Sequence, residues 1–428
     1  MNGYGDQRQA TSSTRLDLLD QAIFIPCICI TSALGFSLRI LGGPLFLLIP
    51  FLFVVYASCR KATPPRILSV YLALCLLSAA LSHYRVFPSS WQVFFLDEAI
   101  GRQVVPVISF FAVAWASKAY FWRRLPSGDI FAYESLILFL CLIFAPLVMF
   151  QQDVRYELDD TTSSILAVYG SFINNVTIAM FFILGRLFFA SDWSRAIAGA
   201  TIALITVTTH FAQFRVVAST VLATLLGIPA RFAAVVAMGG LIMSYATQMY
   251  RIPEIMATSP NAGLRLLFIE DTFSALKDTY GLGIGYGTES VRWRYKLRDQ
   301  PDFTFMPDVS VITQDRLLQL LSRGVHNSFA QAALRTGVPG LLLLVFAFCV
   351  AFPPRSLPQP VRSHASMLFV IIFIASFVNP ALESPVQEVG IGFLYGYLLA
   401  LRARAEAWCR VSRPSSASLP PQLSLIPN

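Results

Sequence analysis

Apolar runs long enough to cross a bilayer recur from Ala22 to Leu401, and this repetition constrains the chain more than any other feature. A helix of about 20 apolar residues spans the ~30 Å hydrocarbon core. Inside that core every backbone N–H and C=O has to be satisfied by the chain itself, which selects helices for runs of this length. Hydrophobic residues fill 56% of the positions and charged residues 13%, too little polar surface to cover a soluble globule. The chain therefore reads as an all-α polytopic membrane protein with about 12 transmembrane helices, near 22–38, 41–58, 67–82, 103–122, 130–150, 165–190, 196–211, 216–230, 232–250, 338–352, 365–381 and 388–401. The first run follows a mixed-charge tail and is followed by further spans, so it is expected to be retained rather than cleaved as a signal peptide.

Basic residues orient these spans, because Lys and Arg stay in short cytoplasmic loops. With the amino terminus inside, the inner loops carry Arg60, Lys61, Arg66, Lys118, Arg123, Arg124, Arg186, Arg195, Arg231, Arg355, Arg362, Arg402, Arg404, Arg410 and Arg413. The short outer loops carry Arg39, Arg85, Arg102, Arg155 and Arg215. The net charge of +8 is then mostly a topology signal rather than a nucleic-acid footprint. The expected organisation is a cytoplasmic tail over 1–20, spans one to nine over 21–250, an extracytoplasmic loop over 251–337 containing short helices, spans ten to twelve over 338–402, and a second cytoplasmic tail over 403–428. The loop holds ten basic and nine acidic residues, a near balance. Of the seven cysteines, at 27, 29, 59, 75, 141, 349 and 409, none lies in that loop, and no CxxC spacing suggests a metal or redox site.

Within the loop, "PNAGLRLLFIEDTFSAL" spaces Leu266, Phe273 and Leu276 like one apolar helix face. It runs into Gly281, Gly283, Gly285 and Gly287, which suit a tight turn and close packing better than nucleotide binding, since no βαβ pattern surrounds them. "SRGVHNSFAQAALRTGVPG" then places Asn327 or Ser328 as a helix cap, Phe329, Ala333 and Leu334 on the apolar face, and Gly337 as a left-handed terminator. His326 therefore stands just before a helix amino terminus, where unpaired N–H groups favour an anion. A histidine there can take up a proton near neutral pH, and a histidine tied to a loop carbonyl is the plainer alternative. Glu134, Asn174 and Asn175 fall inside spans and suit interhelical bonding. His210 lies close to Arg215, His83 on an outer loop and His364 on the inner face.

"HNSFAQAALRTGVPGLLLLV" resembles the His-Asn signature of the O-antigen ligase and polymerase superfamily of bacterial envelopes. "GLRLLFIEDTFSAL" is similar to that family's Gly-Arg helix and "DTYGLGIGYG" to its Gly-x-Gly-x-Gly turn, so the resemblance runs from about Ala212 onward. It implies a GT-C-like glycosyltransferase of the inner membrane, active on its periplasmic side without metal or cofactor. The implied donor is an undecaprenyl-diphosphate-linked oligosaccharide. The acceptor is another lipid-linked repeat in a polymerase or lipid A-core in a ligase, with membrane lipid and a possible chain-length regulator as further partners. The resemblance makes His326 catalytic, and Arg215, Arg265 and Asn327 substrate-binding. Arginine suits the diphosphate because its fixed charge and two-pronged fork match phosphate oxygens. His326 is left with two roles, proton acceptor from the attacking hydroxyl or donor to the diphosphate. A flippase or transporter is the reading from another class, and it calls for ionisable residues along a midplane path.

Overall fold

The computed structural model describes residues 18–28, 30, 43–86, 101–125, 177–191, 193–208, 212–258, 260–286, 325, 327–378, 382 and 388–411. Among them the chain is helical and has no strand. The helices in chain order are α1 (Gly43–Cys59), α2 (Arg66–Val86), α3 (Gly101–Arg124), α4 (Thr177–Phe189), α5 (Trp193–Thr208), α6 (Ala212–Leu225), α7 (Ala230–Met249), α8 (Ile252–Thr258), α9 (Pro260–Asp278), α10 (Ser328–Ala351), α11 (Gln359–Val378) and α12 (Glu388–Val411). Among the described residues four stretches are long and apolar enough to cross a membrane: Val104–Arg124 in α3, and α7, α10 and α11. The expected count of spans also draws on residues outside those described, as do Glu134, Asn174 and Asn175.

The tightest pairing joins α3 to α12, and small residues explain it. In a bilayer, helices gain little from hydrophobicity and associate where their backbones can approach. Gly392 and Gly396, four apart on α12, form that kind of stripe. A Cβ on Gly392 would lie 3.0 Å from the Phe110 carbonyl, and one on Gly396 would lie 2.5 Å from the Ala114 carbonyl. Around this contact Phe121 packs edge-on to Phe393 and Tyr397. The helix α12 runs past its expected end at 401 because its basic residues find partners: Arg402 donates to the Val350 carbonyl at 2.8 Å, and Arg404 lies over the Trp122 ring and donates to its carbonyl at 2.6 Å.

Those arginines mark one end of the bundle. Asp20, in a π-helical turn over Asp20–Phe24, is buried there between Arg60 and Arg124, at 2.6 and 3.7 Å, and accepts from the Tyr56 hydroxyl. The same end holds Lys118 on the Thr63 carbonyl and Arg231 over the Phe352 ring. His364, near that end of α11, is fully buried between the Tyr397 hydroxyl and the Phe181 carbonyl, a core histidine rather than a surface one.

Two local expectations are corrected. Phe273 does not share a buried face with Leu266: it is 63% exposed, whereas Leu266 is 1% exposed. The packed side of α9 instead carries Phe268, Asp271, Thr272 and Ala275, spaced at three and four residues. Gly337 does have positive φ, but at φ 73° and ψ −170° it lies in the extended mirror region open essentially to glycine rather than in the left-handed helical one. The chain kinks there and continues as helix, so the span expected from 338 is joined to the segment from Ser328. Pro339, two residues on, has no N–H to lose at such a kink.

Candidate active site

The end of the bundle opposite the arginine-rich one is organised by the start of α10. Asn327 is extended at φ −163° and ψ 117°, and its Oδ1 accepts from the N–H groups of Phe329 and Ala330, both at 2.9 Å. This is the expected cap. It also uses two of the N–H groups that were expected to face an anion, so α10 offers less to a ligand than a bare helix end would. Two contacts invisible in the local pattern hold the preceding loop. Gln331 reaches back to accept from the Val325 N–H at 2.6 Å, and Ser328 Oγ accepts from the Leu382 N–H at 3.2 Å. Val325 and Asn327 are both buried, and His326, the residue between them, lies outside the described residues.

The glycine turn is part of this platform. Gly281, Gly283 and Gly285 all have positive φ, at 81°, 77° and 84°. The Ile284 N–H donates to the Leu334 carbonyl at 2.7 Å, and the Val338 N–H donates to the Gly281 carbonyl at 2.8 Å. The turn thus satisfies backbone groups freed where α10 kinks. A Cβ on Gly283 would sit 2.7 Å from both the Gly337 nitrogen and the Leu334 carbonyl oxygen. The two glycine motifs fit each other, backbone on backbone. Arg335 lies over the Tyr286 ring at 4.8 Å, and α2 closes the far side through Ser78 Oγ on the Arg335 carbonyl and Ser82 Oγ under the Tyr286 N–H.

Arg265, on α9, reaches the end of α11. Its Nη1 points at the Val378 carbonyl at 3.5 Å, a long contact to the last residue of that helix, and it shares a hydrogen bond with Tyr245. Its Nε is buried without an acceptor. Tyr245 packs on Phe377 at 5.0 Å, and Phe377 neighbours Phe329 in the first turn of α10 at 6.4 Å. Arg265 and the capped start of α10 thereby meet around one corner, Phe377–Val378.

Arg215 belongs to the same end by a different route. The last turn of α6, with Thr224 and Leu225, lines one cavity with Gln359 and Arg362 at the start of α11, and the two helices pack together. They run antiparallel, which carries Arg215 about 15 Å away toward the end where α11 finishes. Arg215 is exposed and, among the described residues, has no hydrogen-bond or ionic partner. Neither Arg215 nor Arg265 pairs with a carboxylate among the described residues. His210 and the side chain of His83 lie outside the described residues. Among those described, no three metal-ligating side chains come together.

The O-antigen ligase family model matches residues 178–345. The matched segment contains Arg215, Arg265, the glycine turn and Asn327, and it begins upstream of Ala212, where the resemblance in the sequence was first legible. No curated protein matches the chain. The match over residues 178–345 supports a relationship of this segment to the O-antigen ligase and polymerase superfamily, whose members are enzymes of polysaccharide biosynthesis, and the helices of membrane-crossing length among the described residues accord with a membrane protein.

Proposed function

We propose that the protein is a glycosyltransferase of the bacterial inner membrane that moves a glycan from undecaprenyl diphosphate to an acceptor sugar hydroxyl, polymerising polysaccharide repeat units on the periplasmic side. What supports this reading is that Arg215 and Arg265, without carboxylate partners among the described residues, belong to the bundle end at which the sequence sets His326 just before the capped start of α10. The arginine-rich opposite end is cytoplasmic by the rule that retains Lys and Arg there, which leaves this end outside.

In the reaction the acceptor oxygen attacks the anomeric carbon, the bond from that carbon to the diphosphate oxygen breaks, and the electron pair leaves with the diphosphate. Negative charge grows on the leaving group, and fixed guanidinium groups aimed at it stabilise the transition state more than the ground state. The acceptor hydroxyl gives up a proton. His326 either receives it or donates a hydrogen bond to the diphosphate, which itself then takes up the hydroxyl's proton, and Asn327 acts through the cap that holds the loop.

Purified protein with a lipid-linked substrate tests this. His326→Gln should lower turnover on the order of a hundredfold or more, with folding and donor binding kept and a chelator without effect. Turnover at the wild-type rate in His326→Gln would end the proposal. Transfer to lipid A-core is the second reading, favoured by the ligase description of the matching family. Cells lacking a polymerase should accumulate single lipid-linked repeats on the outer leaflet, whereas cells lacking a ligase should accumulate finished chains on the carrier.

A further inference from the structure

At the arginine-rich end the starts of α7 and α11 open onto a cavity of about 900 Å³ whose lining includes Arg195, Arg231, Arg355 and Arg362. No carboxylate pairs with any of these four among the described residues, in contrast to Arg60 and Arg124, which share Asp20. The Nε of Arg231 is buried with no acceptor among the described residues, and its guanidinium lies over the Phe352 ring at 4.8 Å. The peptide dipoles of α7 and α11 add positive potential, since both helices point their amino ends into the cavity. Basic residues at this end are expected for topology alone, but topology does not require that they converge on one concavity.

The rim bears on what offsets that charge. Phe232 and Val235, one helical turn into α7, line the cavity and are exposed, and Leu225 and Ile228 continue the apolar edge. A free inorganic ion has no use for such a rim. A headgroup with acyl chains does.

We propose that this cavity binds the phosphodiester of an anionic membrane lipid in the cytoplasmic leaflet, its oxygens among the four guanidinium groups and its acyl chains along Phe232 and Val235. The bound lipid ties the near ends of α7 and α11, whose far ends carry Tyr245 and the Phe377–Val378 corner that hold Arg265.

The test uses the full-length protein in nanodiscs of phosphatidylcholine, with or without phosphatidylglycerol, read by native mass spectrometry of retained lipid and by melting temperature. Phosphatidylglycerol should be retained and should raise the melting temperature by mass action. The Arg355→Gln, Arg362→Gln double variant alters two lining residues and should weaken retention about 25-fold, roughly fivefold for each lost charge. Arg231→Gln should weaken it independently. Arg66→Gln, exposed at the same end but outside the cavity, should leave retention unchanged. Three results would overturn the site: undiminished retention in the double variant, an equal loss in Arg66→Gln, or an equal melting rise from inorganic phosphate in phosphatidylcholine discs.

Discussion

The fit of Gly283 against the kink of α10 predicts a specific loss on adding one methyl group. Gly283→Ala and Gly227→Ala make a matched pair, because both positions have positive φ, at 77° and 95°. An alanine at either one bears the left-handed penalty of about 1–2 kcal/mol. They differ in space. At Gly227 a Cβ meets nothing within 4 Å, whereas at Gly283 it meets the Gly337 nitrogen and Leu334 oxygen at 2.7 Å and the Ala333 oxygen at 3.1 Å. All three are backbone atoms, so no side chain can turn aside. Relief requires the turn to move off the helix, lengthening the 2.7 Å bond from Ile284 to Leu334 and the 2.8 Å bond from Val338 to Gly281. A buried backbone group left without its partner costs about 1–3 kcal/mol, so with both bonds lost Gly283→Ala should be about 2–6 kcal/mol less stable than Gly227→Ala. Both proteins would be melted in one detergent at one scan rate, since unfolding of such a chain is measured as a rate rather than an equilibrium. Equal midpoints for the two variants would refute the claim that the glycine turn is a packing element.

Arg215→Ala and Arg265→Ala should each lose glycan synthesis at normal protein levels, with Lys restoring it only in part because a point charge replaces a fork; near-normal glycan in both alanine variants would sink the diphosphate clamp. Asn327→Ala should cost about 1 kcal/mol of stability and far less turnover than His326→Gln, while Asp at 327 should keep the cap; a turnover loss as large as that of His326→Gln would give Asn327 a part in the chemistry. A cysteine placed at Asp302 should be labelled by a membrane-impermeant thiol reagent in cells permeabilised only at the outer membrane. Labelling only after inner-membrane lysis would reverse the assignment of sides.

The single sequence determined what depends on near neighbours and on solvent. Recurrent apolar runs dictate helices in a bilayer, because nothing else satisfies the backbone there. The Asn327 cap and the positive φ at Gly337 were legible because capping and glycine geometry act over a few residues. Arg215, Arg265 and His326 were singled out by resemblance, since chemistry leaves a residue pattern even where the fold is unknown. Tertiary structure decided what depends on partners far along the chain. That Gly283 needs no side chain because Gly337 arrives against it is a fact about residues 54 apart, and that Gly396 needs none because Ala114 does is a fact about residues 282 apart. Phe273 illustrates the failure of periodicity alone: spacing says which residues share a face of α9, but not which face is covered, because neighbouring helices and not α9 itself supply the cover. The four arginines of the inner cavity each read as an ordinary topology signal. Only the antiparallel packing of α6 and α11, with α7 and α5 alongside, gathers them around one space, and the energy of crowded like charges exists only once they are gathered.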